Sequence, residues 1–242
     1  MHFPAACYPF LVSSSLVTGL LGIAFGMRHA VEPDHLAAVS TLATEQKNAR
    51  AGLWVGALWG IGHSLSLLLV GGTLALVGEQ MPERVAAGFE LLVAVMIVGL
   101  GLRALRRSYL EGRVGVPSTH SHGGLEHTHE APVEHVHVRS WTFATRPLLV
   151  GVLHGLAGSG ALTALVVAEL PTVGERLGYI ALFGAGSVVG MALLTGLAGV
   201  PLMRLARAPK VAAGLLAVAG LLSVGVGLWW GVSSMQHLLS LS

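Results

Sequence analysis

The sequence predicts an all-α polytopic membrane protein with about six transmembrane helices, arranged as two inverted three-helix repeats. Three observations support this prediction: the composition, the lengths of the apolar stretches, and a resemblance between the two halves. Of the 242 residues, 53% are hydrophobic and only 11% are charged, whereas soluble domains have about 25% charged residues. The 33 glycines fit closely packed membrane helices. The single cysteine, Cys7, excludes an internal disulfide and a cysteine-based metal site.

The apolar stretches account for the predicted helices, because a span needs about 20 such residues. They lie at residues 12–45, 51–77, 85–104, 143–169, 177–202 and 211–230. The first stretch is too long for one straight span and contains a polar cluster. We interpret it as one helix broken near Pro33, and two short spans are the alternative.

A polar insertion divides the chain into three predicted parts. These are a first membrane repeat over residues 1–104, a His-rich loop over residues 105–142, and a second membrane repeat over residues 143–242. Lysine and arginine concentrate in alternate connections, and this excess marks the cytoplasmic side. We therefore expect a multi-pass protein of a bacterial cytoplasmic membrane, with the loop cytoplasmic and both termini outside.

The two halves resemble each other at an offset of 124 to 126 residues. His29 lies opposite His154, and residues 57–63 lie opposite residues 181–187. Because each half has an odd number of spans, the two copies must have opposite orientations. The alternative is a chance match between helices of similar composition. Most candidate ligands lie in the first half, since His63 faces a serine in the second.

The polar cluster of the first span is the strongest functional signal. Residues 28–35 read Arg-His-Ala-Val-Glu-Pro-Asp-His. Titratable groups at membrane depth are costly and persist mainly where they pair, line a cavity or bind something. Imidazole nitrogens suit nickel, cobalt, copper and zinc better than magnesium or calcium. Pro33 has no N–H, and its ring clashes with the carbonyl of His29, so we predict a kink or unwound turn there.

The main candidate ligands combine this cluster with two mid-span histidines. They are His29, Asp34, His35, His63 and His154. For His63 and His154 the alternative is a structural hydrogen bond to a neighbouring helix. Asp34 is either a direct ligand or a group that orients a ligating imidazole, since such imidazoles usually donate their other N–H to a carboxylate.

Weaker candidates lie at Glu32, at His2 and in the loop. Glu32 either contributes a carboxylate or only pairs with Arg28, and His2 chelates nickel with the N-terminal amine unless its position is a coincidence. The loop carries three His-x-His pairs, which bind transition metals with modest selectivity, and an inert linker is the alternative. These pairs are His120 with His122, His127 with His129, and His135 with His137.

The signature His29-x4-Asp34-His35, preceded by Arg28 and followed in the next span by Gly-His63-Ser, resembles the nickel/cobalt transporter (NiCoT) family. Its short members include urease-associated nickel permeases. The resemblance implies a secondary permease in which these histidines and Asp34 recognise the metal. The second half departs from longer members, which carry an acidic motif near residues 152–159.

We therefore expect transport of Ni²⁺, with Co²⁺ as a further substrate, and uptake favoured over efflux. The Glu32-Pro33 pair is similar to related efflux proteins, which keeps efflux as the alternative. The sequence has no nucleotide-binding loop, and we expect no enzymatic activity and no cofactor. Expected partners are the bilayer, the metal ion and, by the urease resemblance, cytoplasmic nickel chaperones, with no nucleic acid. Less favoured alternatives are an intramembrane zinc metalloenzyme and a non-transporting subunit of a metal-delivery complex.

Overall fold

Seven helices and one short hairpin make up the part of the chain that the computed structural model describes. This part comprises residues 8–44, 48–78, 81–112, 118–122, 125–129, 140–157, 169–205 and 209–241. In chain order the elements are α1 (Tyr8–His29), α2 (Pro33–Thr44), α3 (Ala49–Val77), α4 (Glu83–Gly112), β1 (Ser118–His122), β2 (Leu125–His129), α5 (Ser140–Leu156), α6 (Val173–Leu205) and α7 (Pro209–Ser240).

Four of these helices, α3, α4, α6 and α7, are long and apolar enough to cross a membrane. Their outward surfaces carry large apolar side chains, such as Leu69 and Trp229, which are 72% and 73% exposed. An apolar surface of this kind suits contact with lipid. In lipid the backbone N–H and C=O groups must form their hydrogen bonds within the protein, as they do in a helix. The prediction of a helical polytopic membrane protein is confirmed at this level.

The first predicted span is divided into two helices, as the position of Pro33 predicts. α1 ends at His29 and α2 begins at Pro33. The intervening turn is closed by the backbone N–H groups of Val31 and Glu32, which donate to the carbonyls of Arg28 and His29 at 3.0 and 3.1 Å. Pro33 starts α2 at a position where its missing N–H removes no helical hydrogen bond.

The most extensive helix contacts join α3 to α6 and α4 to α7, followed by α3 with α5 and α1 with α6. The short helix α2 lies against α7 and α6. One core cluster, which includes Val39, Trp59 and Met191, joins α2, α3 and α6. The polar cluster therefore sits where the broken first span meets the long helices.

Glycines allow the closest helix crossings in the bundle. A Cβ atom at Gly26 in α1 would collide with the carbonyl of Phe183 in α6, and one at Gly151 in α5 would collide with the carbonyl of Trp59 in α3. At both crossings the backbones touch directly, which small residues permit in membrane helices. These contacts bring the C-terminal ends of α1 and α5 against the middles of α6 and α3.

Several helix boundaries differ from the predicted spans. α4 continues to Gly112, well beyond residue 104, because residues 105–112 contain leucine, arginine and glutamate, which favour helix although they are less apolar. α5 begins at Ser140 and ends at Leu156, and residues 158–168 of the predicted span lie outside the described residues. The antiparallel hairpin, in which His120 pairs with His127, was not predicted.

Candidate metal centre

Three buried histidines meet at the break in the first span. His29 ends α1, His35 lies in the first turn of α2, and His63 lies in the middle of α3. Their side chains are 4%, 0% and 0% exposed. One ligand atom from each lies within 4.8 Å of the others. Imidazole nitrogens bind a metal such as zinc at about 2.0–2.1 Å, so two of them on one ion lie at most about 4.2 Å apart. Small side-chain shifts are enough to bring the ligand atoms from 4.8 Å to this separation.

The interruption of the helix creates this proximity. Along an unbroken helix, His29 and His35 would be about 9 Å apart along the axis. Their ring centroids are instead 4.2 Å apart, with His63 at 5.1 Å from His29 and 5.5 Å from His35. The local effect of Pro33 therefore gathers imidazoles that a continuous helix would keep apart.

A second group of buried side chains shares His35 and includes Asp34 and His154. Ligand atoms of these three residues also lie within 4.8 Å of one another. Nε2 of His154 donates a hydrogen bond to Oδ2 of Asp34 at 2.6 Å. The same oxygen lies 3.1 Å from Nδ1 of His35, although the two do not have hydrogen-bond geometry. Asp34 thus connects α2 to α5, which belongs to the second half of the chain.

Many nitrogens of the cluster are buried without a hydrogen-bond partner in the described part of the chain. A buried polar atom left without a partner costs about 1–3 kcal/mol. Such a concentration of free lone pairs and N–H groups therefore favours a bound ligand. The atoms are Nε2 of His29, both ring nitrogens of His35 and of His63, Nδ1 of His154 and Nε1 of Trp59.

The carboxylate of Glu32 contacts His29 at the edge of the cluster. Its Oε2 lies 2.9 Å from Nδ1 of His29, and its side chain is 45% exposed. A carboxylate on one ring nitrogen fixes the ring and leaves the other nitrogen for a metal. This contact favours an orienting role for Glu32 over direct ligation.

Two aromatic side chains that the sequence analysis missed border the cluster. Trp59 stacks on His35, with ring centroids 5.3 Å apart, and lies 5.9 Å from His154. Phe183 lies 5.5 Å from His29. A signal was available, because Trp59 and Phe183 occupy equivalent places in the predicted internal repeat. The two aromatic rings therefore pack against imidazoles of the cluster.

The other histidine candidates lie elsewhere in the chain. His2, His135 and His137 lie outside the described residues. For the hairpin histidines only the backbone is described, with His120 and His122 in β1 and with His127 and His129 in β2.

Comparisons with known proteins give one family and several relatives. The family model described as "High-affinity nickel-transport protein" (NicO) matches residues 15–209. The chain is 32% identical over 212 residues to the urease accessory protein UreH of Bacillus sp. (strain TB-90), covering 86% of this chain and 87% of that protein. It is 25% identical over 221 residues to the Arabidopsis thaliana chloroplast protein FOR GROWTH AND FERTILITY 1, covering 89% of this chain and 59% of that protein. It is 30% identical over 105 residues to the high-affinity nickel transport protein of Cupriavidus necator, covering 39% of this chain and 30% of that protein. No solved structure matches the chain.

Proposed function

The chain belongs to the NicO family of high-affinity nickel-transport proteins, and from this premise we propose that it moves Ni²⁺ across the membrane through the buried histidine cluster. The observation that supports this route is the meeting of His29, His35 and His63, all buried, with ligand atoms within 4.8 Å of one another. The chain is accordingly a transport protein and not an enzyme, with Ni²⁺ as its substrate.

The chemistry of the cluster suits the proposed substrate. Neutral imidazole nitrogens bind nickel and cobalt well, whereas magnesium and calcium prefer oxygen ligands. Three neutral imidazoles leave the double charge of the ion uncompensated, and a dication is costly in a low-dielectric interior. The carboxylate of Asp34, next to His35, provides an opposite charge inside the cluster, and Glu32 provides another beside His29. We therefore include Asp34 and His154 in the proposed metal pocket.

We further propose the six-span architecture of two inverted repeats. α3 and α6 begin at Ala49 and Val173, and α4 and α7 begin at Glu83 and Pro209, which keeps the offset of the internal repeat. The close helix crossings are related by the same sequence offset. Gly62 approaches the carbonyl of Leu148, and at the equivalent place Gly186 approaches that of Ile23. Repeats of this kind allow alternating access, because one half can rock against the other around a central site.

Uptake into the cytoplasm is the direction that we propose. A urease accessory protein among the relatives supports uptake, since a nickel permease that serves a urease delivers the ion inward. Efflux is the alternative, because Glu32-Pro33 is similar to efflux proteins. Co²⁺ is proposed as a second substrate, since the same imidazoles suit it.

The histidine-rich loop is proposed to lie on the cytoplasmic face of a bacterial inner membrane. The distribution of lysine and arginine supports this side. There its His-x-His pairs would receive imported ions and pass them to cytoplasmic nickel chaperones. Together with His2 they form the weaker part of the proposed metal-binding set.

The proposal is tested by radioactive nickel flux in proteoliposomes that contain only this protein. We expect His35→Ala and His63→Ala each to lower the flux by more than about 10-fold, because even residues that only support metal ligands contribute 10- to 100-fold. The control is His237→Ala, which removes an exposed histidine in the last turn of α7. Normal flux in both pocket variants would reject this site.

A further inference from the structure

The candidate ligands form two triads that share one histidine. The first triad is His29, His35 and His63, and the second triad is Asp34, His35 and His154. His35 lies between the others, with ring centroids 4.2 Å from His29 and 4.1 Å from His154. His63 and His154 are farther apart, at 6.1 Å. An ion can therefore keep His35 as a ligand while it exchanges the other ligands.

The two triads differ in whether their ligand atoms already form hydrogen bonds. In the first triad, Nε2 of His29 and both ring nitrogens of His63 have no hydrogen-bond partner among the described residues. In the second triad, His154 and Asp34 bind each other at 2.6 Å. Two neighbouring ligand atoms at about 2.0–2.1 Å from one ion are about 2.9 Å apart at right angles. These two atoms must therefore separate before both can bind the same ion.

The triads also differ in charge and in position. The first triad contains only imidazoles and lies entirely in α1, α2 and α3 of the first half. The second triad adds the carboxylate of Asp34 and a ligand from α5 in the second half. An ion held by the second triad therefore bridges the two halves, which an ion held by the first triad does not.

We propose that the transported ion occupies the two triads in succession, first His29–His35–His63 and then Asp34–His35–His154, with His35 bound throughout. This inference rests on the proposed function of the pocket. In the step between them, the metal–nitrogen bonds to His29 and His63 break, while bonds to an oxygen of Asp34 and a nitrogen of His154 form. All of these bonds are lone-pair donations, so no electron is transferred.

Binding of the ion by His154 also requires that Nε2 lose the proton that it donates to Asp34. When Nε2 of His154 binds the ion, it releases its proton to water, and Nδ1 of the same ring, which has no partner within the described ranges, takes up a proton from water. The imidazole then stays neutral, as a metal ligand must be. The exchange therefore needs water as the proton carrier and no oxidant or reductant.

The test separates equilibrium binding from transport in the full-length purified protein. Binding of Ni²⁺ is measured by titration in detergent, and the number of imidazoles around bound Ni²⁺ by X-ray absorption. Flux is measured in proteoliposomes. The variants are His63→Ala for the first triad, His154→Ala and His154→Gln for the second, and His237→Ala as the control. His154→Gln keeps an N–H donor for Asp34, so the buried carboxylate stays paired and the fold is preserved.

We expect His63→Ala to lower the affinity by about 10-fold or more and to remove one imidazole from the ion. We expect His154→Gln to leave both quantities as in the parent protein but to lower the maximal flux by about 10-fold or more. Equal losses of affinity in His154→Gln and His63→Ala would indicate that both histidines bind the ion at the same time, and would overturn the proposed succession of the two triads. Unchanged flux in His154→Gln would also overturn it. If His63→Ala alters neither binding nor flux, it is the proposed pocket itself that fails.

Discussion

A single methyl group on Gly151 provides a demanding test of the helix crossing that positions the pocket. A Cβ atom at this position would lie 2.9 Å from the backbone nitrogen of His63, and nearer still to the carbonyl oxygen of Trp59. Non-bonded heavy atoms prefer separations of about 3.5–4.0 Å. In Gly151→Ala, α5 must therefore retreat from α3 by about 0.6 Å or more, because backbone atoms cannot rotate away as a side chain can.

This displacement acts on the hydrogen bond between the two halves. His154 lies less than one turn beyond Gly151 on α5, and its Nε2 is 2.6 Å from Asp34. A retreat of about 0.6 Å along the direction of this contact would lengthen it to about 3.2 Å, the outer limit of a hydrogen bond. Overpacking of this kind costs about 1–3 kcal/mol of stability, and a misplacement near 1 Å at a working site can lower a rate about 100-fold. We expect nickel flux in Gly151→Ala to fall by about 10- to 100-fold.

The assay compares Gly151→Ala with Gly99→Ala in proteoliposome flux and in thermal unfolding of the purified protein. Gly99 lies in α4, and its added Cβ would meet no heavy atom of the described residues within 4 Å. Since alanine favours helix over glycine by about 0.5–1 kcal/mol, Gly99→Ala should keep the flux and unfold at the same or a higher temperature. Parent-like flux and stability in Gly151→Ala would refute the close crossing, and with it the reasoning that places His154 on Asp34.

Three further predictions concern the pocket. Glu32→Gln should weaken nickel binding by about 10-fold, because the carboxylate no longer holds Nδ1 of His29; isothermal titration measures this, and an unchanged affinity would mean that the contact is incidental. Binding of Ni²⁺ should quench the fluorescence of Trp59, which stacks on His35, and Trp59→Phe should remove this component while the other four of the five tryptophans stay as they are; equal quenching in both proteins would place the ion elsewhere. A large excess of Mg²⁺ should leave nickel flux unchanged, since imidazoles do not suit magnesium; competition by Mg²⁺ would instead indicate oxygen ligands.

The break in the first span could be predicted because its cause is local. Proline removes a helical hydrogen bond wherever it stands inside a helix, so the position of Pro33 alone indicated an interruption next to His29. In the structure the interruption brings His29 and His35 together, with their ring centroids 4.2 Å apart. The membrane helices could be predicted equally well, because the length of each apolar stretch can be read directly from the sequence.

The partners of the polar groups could not be predicted because they depend on which helices cross. Sequence spacing suggested Arg28 as a partner for Glu32, but the turn places that carboxylate on His29. Asp34 was predicted either to bind the metal directly or to orient a ligating imidazole. In the structure its closest partner is His154, a distant residue that α5 brings across the bundle. Nothing in the spacing of either residue specifies that crossing.

The asymmetry of the ligands has a consequence for transport in the proposed inverted repeat. The scaffold treats both halves alike, since Gly26 and Gly151 make equivalent crossings. The ligands do not, because His63 stands where the second half has Ser187, whose hydroxyl donates to the carbonyl of Phe183 in its own helix. With identical ligands in both halves, the pocket would hold the ion equally well when open to either side. An unequal set gives the two orientations different affinities, so the ion can be captured strongly on one side and released on the other.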